Sequence, residues 1–180
     1  MLGIPDYNPV FYENARDFIQ AQKRHLCPLI GKAINRYFVQ WEVSNEEWNS
    51  DGPIILEIDG IQHEFCAYQI GLYSLTVGQI DRKAKLNWYG AGDSLPLEWR
   101  ANPFLHINQI LNREIEAIYI IEYQVENVIQ FPPLCGIEFL FRGLDKKLCL
   151  FNDLDCNGMK IRDYGEPEEE NVSHIGLSCG

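Results

Sequence analysis

The sequence predicts an α+β protein built on a predominantly antiparallel, twisted or partly closed sheet of about six or seven strands, with two N-terminal helices and one further helix packed on it. Three observations indicate this class. Apolar residues recur at helical spacing near the N-terminus and once more near the middle of the chain, and they alternate with polar residues elsewhere. The predicted order is helices, a run of strands, one helix and more strands, which is not a repeated strand–helix–strand alternation. With 180 residues and a 46% apolar composition, the chain is expected to fold as a single domain over residues 1–180.

Three segments are predicted as helices. An Asn-Pro pair at residues 8–9 is typical of a helix start, and apolar spacing extends this helix to residue 26, before a proline. A second, shorter helix is predicted over 29–37. A second Asn-Pro pair at 102–103 begins a third, which apolar spacing extends to Ile115.

The clearest local signal is a β-hairpin over residues 54–66. Asp59-Gly60 lies between two alternating runs and is typical of a tight hairpin turn. Glu57 and Glu64, together with Gln62, are expected on a wet, acidic face of this hairpin. The pairs that the turn predicts on the opposite, apolar face are Ile58 with Ile61, Leu56 with His63, and Ile54 with Phe65.

Other segments alternate or are rich in β-branched and aromatic residues, which is typical of strands. An acidic tail over residues 166–180 has no periodicity and is expected to be mobile. The Gly- and Pro-containing stretch 90–98 is predicted as a loop. The further predicted strands cover residues 38–43, 71–80, 86–89 and 117–123, with a second hairpin joining 137–142 to 147–151.

The charge distribution gives the main functional expectation. The net charge is −11, and residues 37–80 contain no Lys or Arg. Such a field disfavours nucleic acid and anionic membranes and favours a basic protein partner, with general solubility as the alternative explanation. Trp48 lies in a polar stretch and is either an interface anchor or a residue folded back onto the core. The predicted binding residues are Glu42, Glu46, Glu47, Trp48, Asp51, Glu57 and Glu64.

The cysteines and histidines suggest no metal site or cofactor. The six cysteines form no C-x-x-C pair, and the four histidines are scattered. The N-terminus lacks the features of a signal peptide and no apolar stretch is long enough to span a membrane, so a cytoplasmic protein with free thiols is expected. His63 is predicted to be a hydrogen-bonded core residue rather than a catalyst. The cysteines are Cys27, Cys66, Cys135, Cys149, Cys156 and Cys179.

Gly92-Asp93-Ser94-Leu95 resembles the nucleophile block of the GDSL hydrolases. The resemblance implies a serine esterase in which Ser94 attacks the ester and an Asp-x-x-His motif supplies the base. The chain has no Asp-x-x-His, since Asn171 stands three residues before His174, and it lacks the family's Gly-x-Asn-Asp block. A polar loop serine is therefore the preferred interpretation, with the esterase as an alternative.

Asp153 to Gly158 matches the opening half of a calcium-binding loop, in which oxygen ligands stand at alternate positions before a glycine. The twelfth position, where that loop needs a bidentate Glu, is Tyr164. A turn that ends a strand is preferred over a calcium module at Asp153–Asn157. The overall expectation is a non-catalytic, acidic protein-binding domain, specifically an inhibitor or immunity-type protein that neutralises a basic partner such as a nuclease toxin. Its oligomeric state is left open.

Overall fold

Two antiparallel sheets packed on each other form the core of the protein. The computed structural model describes residues 1–123, 134–165 and 172–179. One α-helix and several short 3-10 turns accompany the sheets in this part of the chain. The predicted α+β arrangement, with two N-terminal helices and a third helix on a single sheet, is therefore wrong, and the fold is mainly β.

The first sheet is organised around its first strand. Along one edge this strand pairs with both the third strand and the short second strand, and along its other edge it pairs with the sixth. Beyond the third strand, the fourth pairs with the third and the fifth with the fourth. The strands are β1 Ile34–Glu42, β2 Glu47–Trp48, β3 Ile54–Ile58, β4 Ile61–Tyr68, β5 Leu72–Val77 and β6 Leu97–Ala101.

The second sheet has five strands in the order β10-β9-β8-β7-β11. Its central hairpin, β8–β9, matches the predicted second hairpin, with Ile137 opposite Leu150. Of the tail predicted to be mobile, residues 166–171 and 180 lie outside the described part, and the residues between them include the last strand. The strands are β7 Ile115–Tyr123, β8 Leu134–Phe141, β9 Lys146–Asp153, β10 Cys156–Asp163 and β11 Val172–Gly176.

The helix, α1, covers Ala15–Leu26, so its end is predicted correctly and its start is not. Asn14 caps it by accepting a 2.9 Å hydrogen bond from the N–H of Asp17. Before the helix, Tyr12 pairs with Tyr73 of β5 in an antiparallel bridge. The helix begins after Asn14 and not at the earlier Asn-Pro pair, because the bridge between Tyr12 and Tyr73 holds the backbone out of a helical conformation.

Two other helix predictions fail because tertiary pairing overrides local spacing. Residues 29–37 include the start of β1, where Ile34 pairs with Ile58. Residues 102–115 contain no α-helix but the 3-10 turn Asn108–Ile110 and, at Ile115, the start of β7. Apolar residues in both segments point into the space between the sheets without a continuous helix, since short turns can present the same spacing. The strand predicted at 86–89 is likewise a 3-10 turn, Trp88–Gly90.

The predicted hairpin is confirmed in its register. Asp59 and Gly60 form the turn, both with positive φ, and the observed pairs include Leu56 with His63 and Ile54 with Phe65. The inward residues contribute to the main core, where the Phe65 and Phe139 rings meet edge to face with centroids 5.8 Å apart.

The outer face of the first sheet is also buried, against the expectation of a wet face. The N-terminal segment 1–11 and residues 80–99 cover it and form a second apolar cluster. Its fully or nearly fully buried members are Leu2, Ile4, Tyr7, Phe38, Ile55, Cys66, Ile80 and Leu86.

A disulfide joins Cys27, directly after α1, to Cys179, three residues after the end of β11. The expectation that all six cysteines are free is therefore wrong for this pair. The pairing was invisible in the sequence because the two residues are 152 positions apart, and only the packing of α1 beside β7 and of β11 on β7 brings them together.

Candidate functional site

The connections at one end of the two sheets form a continuous surface, here called the loop end: residues 42–53, 69–71, 89–97 and 153–155. Backbone hydrogen bonds tie these connections together. The N–H of Val43 donates to the carbonyl of Pro96 (3.0 Å), and the N–H of Asn157, beside the β9–β10 turn, donates to that of Ser50 (2.8 Å). The N–H of Gln69 donates to the carboxylate of Asp155 (2.5 Å).

Large apolar side chains are exposed at the loop end. Ile70, Tyr89 and Leu154 are 76%, 70% and 79% exposed. Each lies in a different connection of the same end. Single exposures of this kind are ordinary, whereas several on one surface are typical of surfaces that protein partners cover. The exposure is not forced by the fold, because each residue lies in a turn where a polar side chain would fit equally well.

Backbone strain is concentrated on the same surface. Half of the non-glycine residues with positive φ in the described part of the chain belong to the loop end: Glu46, Gln69, Tyr89, Leu154 and Asp155. This left-handed conformation costs free energy for residues with a Cβ, and it is retained where the surrounding structure or a function requires it.

Carboxylates outnumber cations at the loop end. Two cations bond to part of this set: Arg100 to Glu46 (2.6 Å) and Glu98 (2.8 Å), and Lys85 to Asp93 (2.9 Å). Hydrogen bonds to Arg100 and Lys85 lower the pKa of Glu46 and of Asp93 respectively. The carboxylates of the loop end are Glu42, Glu46, Glu47, Asp51, Asp93, Asp153 and Asp155, and Glu98 of β6 lies beside them.

Two pKa shifts show that the remaining carboxylates act on their surroundings. Partial burial and the charge of Asp155 raise the pKa of Asp51. Burial, then the neighbouring Tyr68, Asp51 and Asp155, raise the pKa of the Tyr89 hydroxyl. Negative charge from another connection thus acts on both groups, from Asp155 at Asp51 and from Asp51 and Asp155 at Tyr89, which gives the loop end an anionic character.

Four of the predicted acidic binding residues lie together at the loop end, in the same connection as the predicted Trp48. Glu46, Glu47 and Asp51 are exposed, and Glu42 is half-buried and accepts a hydrogen bond from the side chain of Asn45 (2.6 Å). These residues are close in sequence, so the local charge run was enough to find them. The sequence did not reveal Asp153 and Asp155 as their neighbours, because these belong to the second sheet.

Glu57 and Glu64 lie elsewhere. Glu57 is next to the β3–β4 turn, away from the loop end, and is paired with Arg82 (3.3 Å) and Arg36 (3.7 Å). Glu64 is fully buried beneath the N-terminal segment and accepts hydrogen bonds from the hydroxyl of Thr76 (2.7 Å) and the N–H of Gln79 (3.1 Å). Burial raises the pKa of the Glu64 carboxyl, which these hydrogen bonds partly offset.

Trp48 is half-buried and packs against the main core. Its ring meets that of Phe104 edge to face, with centroids 5.6 Å apart, and Trp41 approaches the same ring at 6.2 Å. The guanidinium of Arg100 stands 4.4 Å above the Trp41 ring. Trp48 therefore supports the loop end from below, and its partial exposure leaves one edge available at the surface.

Ser94 and the calcium-like turn have local roles. Ser94 is exposed and its hydroxyl donates to the carbonyl of Ala91 (2.6 Å). Asn157 points into the interior, where its side-chain oxygen accepts from the N–H of Ala67 (2.7 Å), while the Asp155 carboxylate binds the N–H of Gln69. The oxygens of Asn157 and Asp155 therefore face different neighbours instead of one common point.

A polar cluster on the outer face of the second sheet was missed by sequence reasoning. Glu138 is buried and its carboxylate contacts Lys147 (3.1 Å), His174 (3.1 Å) and the thiol of Cys149 (2.9 Å). Burial and the charge of Glu138 raise the pKa of Cys149. A signal was available: Glu138 lies within one apolar strand segment and Lys147 at the start of the next, two positions apart in the register that joins them.

Glu138, Cys149 and His174 of this cluster line a cavity of about 450 Å³. Apolar walls come from Ile121, Phe151 and Val172. The charged groups of the cluster satisfy one another, and a buried Cys149 with a raised pKa is a poor nucleophile. Among the residues that the structure describes, no group of three or more His, Cys, Asp or Glu side chains could hold a metal ion.

The chain was compared with known proteins. No protein family model matches it, and neither a curated protein nor a solved structure matches it. Within the described ranges 1–123, 134–165 and 172–179, the helices are too short or too polar to cross a membrane.

Proposed function

We propose that the protein is a non-catalytic binding protein whose loop end takes a basic protein partner. One observation carries the proposal: the exposed side chains of Ile70, Tyr89 and Leu154 lie among carboxylates that outnumber the cations beside them. Apolar anchors surrounded by charge are typical of protein interfaces, in which the anchors supply affinity and the charges supply specificity and speed of association.

The proposed partner is cationic. The net charge of −11 steers a basic protein toward this chain, and the loop end is where exposed carboxylates are concentrated around an apolar patch. An inhibitor or immunity-type protein that blocks the cationic groove of a nuclease toxin fits this description. Among the acidic residues expected at the interface, Glu42, Glu46, Glu47 and Asp51 remain in the proposal. Glu57 is left out because it is paired with arginines, and Glu64 because it is buried.

The test is selection of random displayed peptides on the immobilised full-length protein, followed by titration of the enriched peptides. We expect enriched sequences to combine Lys or Arg with one or two large apolar residues. Their affinity should fall at least about tenfold for the variant Glu47→Lys/Asp51→Lys and for Ile70→Ser/Leu154→Ser, and it should weaken as salt is added.

The matched control is Glu13→Lys/Glu116→Lys, which makes the same change in net charge at exposed sites outside the loop end. It should retain most of the affinity. The proposal would be overturned by enriched peptides without basic residues, or by equal loss of binding in the control and the loop-end variants.

The compartment is part of the proposal. A cytoplasmic location was expected from the sequence, but a disulfide such as Cys27–Cys179 persists mainly in oxidising compartments. Thiol labelling of the protein in its native cell decides between the two: labelling of Cys27 and Cys179 supports the cytoplasm, and protection of both supports an oxidising location.

A further inference from the structure

Strand β6 has an unpaired edge. It pairs with β1 through five consecutive residue pairs without a bulge, and its other edge has no strand partner among the residues that the structure describes. The edge strand on the opposite side of the same sheet, β5, is partly covered, because Tyr12 exchanges two backbone hydrogen bonds with Tyr73 (3.0 and 3.1 Å). An uncovered edge of this kind is a template for another strand.

The hydrogen bonds of β1 show which backbone groups of β6 point outward. The carbonyl of Gln40 accepts from the N–H of Asn49, so Gln40 faces away from β6. Alternate residues of a strand face opposite edges, so Trp99, which lies opposite Gln40, also turns its N–H and carbonyl away from β1. The same alternation turns the N–H and carbonyl groups of Leu97 and Ala101 outward.

We infer that β6 pairs with β6 of a second copy of this chain, antiparallel and centred on Trp99. In this register Trp99 lies opposite Trp99 of the second copy, and Leu97 lies opposite Ala101. These are the residues whose backbone groups point outward, so both pairings are hydrogen-bonded ones. The two first sheets would then join into one continuous sheet across a two-fold axis. This inference does not depend on the loop end as a binding surface.

Charge complementarity selects a second copy as the occupant. In this register Glu98 of each chain lies opposite Arg100 of the other, so the pairing brings opposite charges together twice. These are non-hydrogen-bonded pairs, in which opposing Cβ atoms come to within about 4.5–5.5 Å. The guanidinium of Arg100 is already held over the Trp41 ring, and the carboxylate of Glu98 lies 2.8 Å from that guanidinium. Both side chains are therefore partly ordered before association.

The pairing is expected to be weak and concentration-dependent. A single five-residue strand and two tryptophans bury less than the roughly 1,200 Å² of a typical stable interface. A partner protein that adds its own strand to the same edge is the competing occupant, and the experiment below separates the two.

The experiment is sedimentation equilibrium of the full-length protein over a wide concentration range. The wild type should approach twice the mass of one chain as concentration rises. Glu98→Arg places like charges opposite each other in a homodimer, and so does Arg100→Glu, so each variant alone should remain monomeric. An equimolar mixture should associate again, because one chain then carries two cations and the other two anions.

The matched controls are Glu114→Arg and Arg142→Glu, each of which reverses one charge of a surface ion pair (2.7 Å) away from β6 and should associate like the wild type. Ala101→Pro removes an outward N–H without removing a bond to β1 and should weaken association at least about tenfold, whereas Ala101→Val should not. A monomeric wild type at all concentrations, or a mixture that fails to associate, would overturn the inference and leave the edge to another partner.

Discussion

The side chain of Asn157 on β10 joins the two sheets through Ala67 on β4. Its oxygen accepts a 2.7 Å hydrogen bond from the N–H of Ala67, and its nitrogen donates to the carbonyls of Ser50 (3.1 Å) and Gly52 (3.0 Å). Asn157 is buried, so one amide satisfies three backbone groups that have little access to water. The same residue places the β9–β10 turn, with Asp155, at the loop end.

Replacing Asn157 by Leu is therefore expected to destabilise the protein strongly. It leaves the N–H of Ala67 and two carbonyls without this partner, at a cost of about 2–4 kcal/mol in the free energy of unfolding. Urea denaturation followed by tryptophan fluorescence measures this. Asn45→Leu, an exposed asparagine at the β1–β2 turn, is the control and should change stability little. Equal stability of the two variants would show that Asn157 does not join the sheets.

Glu64 predicts a pH dependence of stability with a definite sign. Burial raises the pKa of its carboxyl above the ordinary 4.5, so between that value and the folded pKa the native state holds more protons than the unfolded state. The contribution of this group is fully present below pH 4.5 and is lost as pH rises through the folded pKa. The glutamine of Glu64→Gln cannot ionise, so the variant does not lose this stability as the pH rises.

We therefore expect the stability of Glu64→Gln relative to the wild type to increase from acidic to neutral pH. The increase should be about 1.4 kcal/mol for each unit by which the folded pKa is raised. Denaturation curves of both proteins at a series of pH values measure the difference. Glu47→Gln, at an exposed position, should show no such trend. A relative stability that falls with rising pH would contradict the burial of an ionisable Glu64.

The Cys27–Cys179 disulfide closes a loop of 152 residues and should contribute substantially to stability. Loops of this length are associated with about 3–5 kcal/mol, so dithiothreitol should lower the free energy of unfolding by that amount. The variant Cys27→Ser/Cys179→Ser should have the lowered stability already and should not respond to the reductant. Cys156→Ser, at a free cysteine, is the control. Six reactive thiols in the unreduced, unfolded protein would refute the pairing.

The buried ion pair of Glu138 and Lys147 predicts strong coupling. Their side chains are 3% and 4% exposed, and the charged atoms are 3.1 Å apart. Lys147→Met leaves a carboxylate without this cation and should cost about 3–5 kcal/mol, whereas Glu138→Gln/Lys147→Met should cost less than the two single changes together. A double-mutant cycle by urea denaturation measures the coupling. The exposed Glu114–Arg142 pair, treated in the same way, should show little.

Some of this architecture could be predicted from the sequence alone. The register of the β3–β4 hairpin followed from Asp59-Gly60 and the alternation around it, and the β8–β9 hairpin followed in the same way. The end of α1 and the strand β7 were also recognised. These features depend on neighbours in the chain, and turn chemistry and side-chain periodicity are local properties that the sequence carries directly.

Other features depended on residues far apart in the chain. Apolar spacing in 29–37 and 102–115 does not distinguish a helix from segments that fill the space between two sheets, so both helix predictions failed. Glu64 was expected in water because its strand alternates, but the N-terminal segment covers that face. Asp155 lies near Asp51 because Asn157 binds the β9–β10 turn to the backbone at Ser50. The Cys27–Cys179 disulfide likewise joins residues 152 positions apart.

The acidic character expected from the net charge and from residues 42–51 was therefore a property of the sequence, whereas the protein-binding role inferred from it is a proposal. The tertiary structure decided which carboxylates are exposed, which are paired with arginine and which apolar side chains stand beside them. Charge is summed along a chain without regard to folding, whereas a surface exists only after distant segments have packed, because packing determines which groups water can reach.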